Sequence, residues 1–101
     1  MRTLMLLQFP LEPFNSLTRS GVVAAKMKAI LDDIKPEAAY FTAMEGHRGG
    51  VLVVDVKSPS DIPALAEPWF LTFNANVDFR IAMTPEDLGT SNLDVLGKKW
   101  A

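Results

Sequence analysis

The chain has 101 residues, 49% of them apolar and 22% charged, with a formal net charge of -2 and no cysteine. That is enough for one globular domain, without the basic field that a nucleic-acid partner requires. It excludes disulfides, thiolate nucleophiles and Cys-based metal or iron–sulfur sites.

Arg2 precedes a short apolar run, Leu4-Met5-Leu6-Leu7, which Gln8 and Pro10 interrupt well short of a signal peptide or a membrane span. The expectation is a buried first strand, Thr3 to Phe9, in a cytoplasmic protein with no membrane partner. The Pro10-to-Pro13 stretch breaks that strand, and Asn15 or Ser16 is the expected cap of a following helix. Val23, Met27, Ile30, Leu31 and Ile34 then recur at helical spacing, one apolar stripe that ends where Pro36 disfavours helical geometry at Lys35.

Tyr40 through Val56 reads as two strands joined by a glycine-rich turn: strand two from about Ala38 to Met44, strand three from Val51 to Val56. Ser58 or Ser60 opens a second helix with Pro63 in its first turn, and Pro68 is expected to kink or restart that helix near Glu67. Asn74-Ala75-Asn76 turns into strand four, Val77 to Met83, whose apolar residues alternate with Asp78, Arg80 and Ala82. Thr84-Pro85-Glu86-Asp87 has the order of a helix start, and Gly89 stops it. The order is β-α-β-β-α-β, an α+β, ferredoxin-like arrangement with a four-stranded antiparallel sheet. Residues 1–88 form the domain; 89–101 form a tail whose apolar members are too many for a free end, and which is expected to pack on a partner subunit or rim a cleft.

Leu4-Met5-Leu6-Leu7 and Val51-Leu52-Val53-Val54 are apolar at consecutive positions, so both faces of those strands call for cover. Two helices cover one face, and a second copy of the sheet is the economical cover for the other, which predicts a homodimer through the open sheet face.

The βαββαβ order, the continuous apolar central strands and the run Leu65 to Leu88 (LAEPWFLTFNANVDFRIAMTPEDL) resemble a small bacterial family of unknown function in the dimeric α+β barrel group. The wider group includes cofactor-free quinone-forming monooxygenases, muconolactone isomerase-like and YCII-like proteins, haem-degrading enzymes and ligand-sensing domains. The resemblance implies a ferredoxin-like subunit, a homodimer and a ligand cleft between sheet and helices; it implies no particular reaction. The His-Asp pair associated with YCII-like proteins is not evident.

The candidate chemistry is sparse. His47 is the only histidine, which excludes a paired-His metal site within one subunit, although with Glu45 and Arg48 beside it it remains a candidate acid–base group or haem ligand. Glu45 and Asp55 read as a carboxylate pair near the hairpin, with plain surface charge as the competing reading. Arg80, mid-strand on the face opposite Phe79 and Ile81, calls for Asp78 as ion-pair partner or for an anionic ligand. Tyr40 and Thr42 share one face of strand two and are candidate hydrogen-bonding companions; Trp69, with Phe70 and Phe73, is core or, if one ring borders a cleft, a platform for a planar ligand. No cofactor is called for. Two classes remain open: a cofactor-free enzyme acting on a small hydrophobic or aromatic anionic metabolite, with Arg80 orienting an oxygen and Tyr40 or His47 supplying a proton, or a non-catalytic ligand-sensing or assembly module.

Overall fold

The computed structural model describes residues 1–101. Its sheet is built from β1 (Arg2–Phe9), β2 (Ala38–Met44), β3 (His47–Asp55) and β4 (Asn76–Ile81), in the spatial order β2-β3-β1-β4 with every neighbour antiparallel. Helices α1 (Leu11–Arg19) and α2 (Val23–Ile34) connect β1 to β2, and α3 (Ile62–Phe73) connects β3 to β4. Two further short helices, α4 (Pro85–Gly89) and α5 (Leu93–Lys99), follow the sheet.

Strand geometry sends successive side chains to opposite faces, and the two apolar central strands show what each face does. Along β1, Thr3, Met5, Leu7 and Phe9 are buried while Leu4, Leu6 and Gln8 are only half-buried. The buried set, with Leu52 and Val54 of β3, meets Ile30 of α2 and Leu65, Trp69 and Phe73 of α3 in one core. Each fully buried Leu or Phe there contributes about 1.5–3 kcal/mol. The rings interlock: Phe9 meets Phe14 edge-on at 5.2 Å and Phe73 at 5.3 Å, and Phe14 stacks on Phe73 at 5.2 Å. The strand order leaves β2 and β4 as free edges; the opposite face carries no helix, so Leu4, Leu6, Val51 and Val53 form an uncovered apolar centre.

Several local expectations are corrected. The turn between β2 and β3 is only Glu45-Gly46, with φ of 52° and 77°, the pair of positive angles that a two-residue type I′ hairpin needs. β3 therefore starts at His47, and Gly49 and Gly50 lie within the strand. Their missing Cβ atoms leave room for neighbours: the Met44 side chain lies over Gly49 and the Phe41 ring over Gly50. The stripe from Val23 to Ile34 is one helix as expected, but α1 is a separate helix, because Gly21 at φ 71° turns the chain between them. Lys35 ends α2 in the left-handed conformation before Pro36.

The cap of α1 is Glu12, not Asn15 or Ser16. Glu12 has extended angles, Pro13 takes the first helical position, and the Ser16 N–H and Oγ donate to Glu12 Oε2 at 3.2 and 2.6 Å. Those bonds, then the nearby Arg19 and Arg48 charges, hold the Glu12 carboxyl below its ordinary value of 4.5. Ser58 and Asp61 form a capping box around a single 3₁₀ turn, Pro59–Asp61, which leads into α3. Pro68 does not restart α3. The helix runs unbroken through it, and the carbonyl deprived of its donor belongs to Ala64, an exposed residue of the first turn. β4 ends at Ile81, two residues earlier than expected.

The C-terminal segment stands apart. Thr84 and Asp87 complete a second capping box at the start of α4, as the sequence indicated, and α5 is a helix that the sequence reading left unassigned. Neither makes a substantial contact with the body, and from Pro85 to Ala101 every residue but Ser91 is exposed. The chain consequently has a radius of gyration of 17.1 Å and a longest dimension of 59 Å. A compact chain of this length has a radius of gyration of about 13 Å.

Candidate ligand cleft and open sheet face

Strand register assigns each sequence candidate to a face. Directly paired residues form three rows across the open side: Ala38, Val53, Leu4 and Arg80; Tyr40, Val51, Leu6 and Asp78; Thr42, Gly49, Gln8 and Asn76. Tyr40, Thr42 and Arg80 therefore share the open face, and His47, opposite Met44, lies at its hairpin end. They do not converge: Tyr40 and Arg80 lie in different rows on opposite edge strands, which are three inter-strand steps or about 14 Å apart.

Arg80 already has its partner. Its Nε and Nη2 lie 3.3 and 3.2 Å from Asp78 Oδ2, both side chains remaining well exposed. Such a surface pair is worth about 0–1 kcal/mol. His47 is exposed, with Nδ1 at 3.2 Å from the Glu45 carbonyl oxygen. Glu45 and Asp55 are not a pair: one is in the hairpin turn, the other at the far end of β3, where Asp55 binds the Met1 ammonium. That bond, ahead of the charges of Lys57 and Arg2, holds the Asp55 carboxyl below its ordinary 3.8. Trp69 is fully buried on the opposite side of the sheet, a core residue and no ligand platform. Its indole Nε1 has no hydrogen-bond partner, a cost of about 1–3 kcal/mol carried inside the core.

The helix side of the sheet carries a cleft that the sequence reading did not locate. It opens where the end of β4 and the start of β1 meet the turn into α3. Met1, Val56, Ile62, Phe79 and Ile81 supply its apolar wall, Thr3 a polar residue within it, and Lys57 its one charged side chain. The cavity measures about 340 Å³, within the range of small-molecule pockets. The geometry has a local cause. The Lys57 and Ser58 N–H groups both donate to Asp61 Oδ2 at 3.1 Å, which draws the chain into a tight turn between β3 and α3. The available sequence signal was Thr3, a polar residue on the otherwise apolar face of β1, whose Oγ1 donates to the Met1 carbonyl at 3.0 Å.

A second basic feature lies under α1, where the Arg48 guanidinium stacks over the Phe14 ring at 4.4 Å. No group of three or more His, Asp or Glu side chains is arranged to hold a metal ion, and no helix is long and apolar enough to cross a membrane. A scan against protein-family models and a search of curated proteins each returned no match.

Proposed function

We propose that this protein is a homodimeric small-ligand-binding protein, two sheets packed through their open faces, each subunit taking a small hydrophobic or aromatic anion in the cleft between sheet and α3. The carrying observation is the uncovered apolar centre of the open face, Leu4, Leu6, Val51 and Val53, which nothing in the chain covers. The strand order β2-β3-β1-β4 and the antiparallel pairing support a ferredoxin-like subunit of the dimeric α+β barrel group. The ligand class follows from the cleft: aliphatic and aromatic walls favour an apolar body, and Lys57 favours an anionic substituent. Binding is preferred to turnover because none of the lining side chains is acidic or a histidine, so the cleft has no evident general base.

Native mass spectrometry tests both halves of this reading. The expected result is a dimer retaining a small acidic molecule, which Lys57→Glu releases without changing the subunit count. A monomer at all concentrations overturns the dimer; a dimer that retains nothing and binds no aromatic carboxylate overturns the ligand class.

A further inference from the structure

We propose that α4 and α5 are an exchanged arm, each docking on the second copy of the chain at the rim of its open sheet face. The inference rests on the face-to-face dimer and deepens it by naming what completes the interface.

The arm is built to be covered. Leu93, Leu96 and Trp100 recur at helical spacing along α5, and Trp100 is 77% exposed. Leu88 on α4 and Met83 just before it are exposed as well. An isolated helix this short does not persist in water on its own propensity. α4 nevertheless has a defined start, a complete capping box of Thr84 and Asp87. The two helices do not dock on their own chain: the segment runs outward and stretches the molecule to 59 Å. A nine-residue strand such as β3 spans only about 30 Å.

Area argues for a second copy as the occupant. Four strands about 4.8 Å apart, paired over some seven residues, present a face on the order of 400 Å². A stable interface needs about 800 Å² from each partner. The open face therefore supplies roughly half, and a tryptophan alone adds about 150–250 Å². The arm starts at Thr84, directly beyond the free edge strand β4, so it leaves the body at the rim of the face that the dimer would bury. The exposed Tyr40 on edge strand β2 gives the receiving rim an aromatic side chain.

The test reads Trp100 in the full-length protein as the difference between the emission of the native chain and that of Trp100→Phe, followed through dilution alongside native mass. The expected result is short-wavelength emission from Trp100 where the mass is dimeric and a shift to long wavelength as the dimer dissociates. Trypsin cleavage at Lys98 and Lys99 should accelerate in parallel. Leu96→Asp in the full chain should raise the dimer dissociation constant at least tenfold while leaving the unfolding midpoint of dilute protein unchanged. A dimer in which Trp100 emits at long wavelength overturns the exchanged arm and leaves the face-to-face dimer standing. Short-wavelength emission where the mass is monomeric shows an arm folded on its own chain and also overturns it. A chain that is monomeric throughout removes the dimer and the arm together.

Discussion

The body and the C-terminal arm of this chain obey different physics. In the body, elements that break local rules persist because packing overrides them: α3 runs through Pro68, and a buried tryptophan leaves its N–H unpaired. In the arm, the local start signals of α4 are satisfied by the Thr84–Asp87 capping box, yet almost nothing is buried. Good local chemistry sets where a short helix starts, whereas tertiary burial sets how firmly it holds.

Substituting the two tryptophans gives the largest contrast. Trp69→Ala should cost about 3–5 kcal/mol in urea unfolding of dilute protein, because it empties the centre of the core. Trp100→Ala should stay within about 0.5 kcal/mol in the same experiment, as for an exposed surface position; comparable losses would erase the distinction between body and arm. Gly50→Ala probes the body at a point where shape alone decides. Its Cβ would lie 2.9 Å from Phe41 Cδ1 and 3.1 Å from the Tyr40 carbonyl oxygen, so a loss of about 1–3 kcal/mol is expected from chemical denaturation, and a neutral result would mean that the Phe41 ring moves freely. Thr84→Ala should remove about 1 kcal/mol from α4. Amide exchange in Glu86–Leu88 should quicken while the global midpoint stays fixed; a shifted midpoint would place the arm inside the cooperative unit.

The smallest effect is on pH. Glu12 has a folded pKa below its ordinary 4.5, so its contribution is present above that value and is lost as pH falls through the folded pKa. Stability should therefore decline on the acid side, and Glu12→Gln should flatten that limb; superimposable acid profiles would show that the cap at α1 contributes nothing.

How much was legible before folding follows the same division. β2 was readable from Ala38 to Met44 because turn residues bound it on both sides, and α4 because its capping box is contiguous in sequence. The extent of the hairpin turn was not readable. Gly49 and Gly50 look like turn residues, but they are in-strand contact points for Met44 and Phe41, which only the register reveals. The break between α1 and α2 turned on one glycine in an otherwise helical stretch, and the α1 cap lay upstream of the expected residues, at Glu12 before a proline. Tyr40 and Thr42 were readable as sharing one face of β2, but which side of the sheet that face joins, and the width of sheet that separates them from Arg80, emerge only from the register. The position of the cleft was not readable because its lining comes from the ends of four segments and includes no motif.

The uncharged composition of β2 has a consequence for the protein's behaviour in solution. From Ala38 to Met44 this free edge carries no charged residue, no proline and no bulge, the usual devices by which sheets discourage a stranger's strand from adding to them. Its backbone donors and acceptors point outward beside Tyr40 and Phe41, a short segment with the composition that templates further strands. Higher concentration brings such open edges together more often, so the concentration at which the protein is stored governs its shelf life as much as the temperature does.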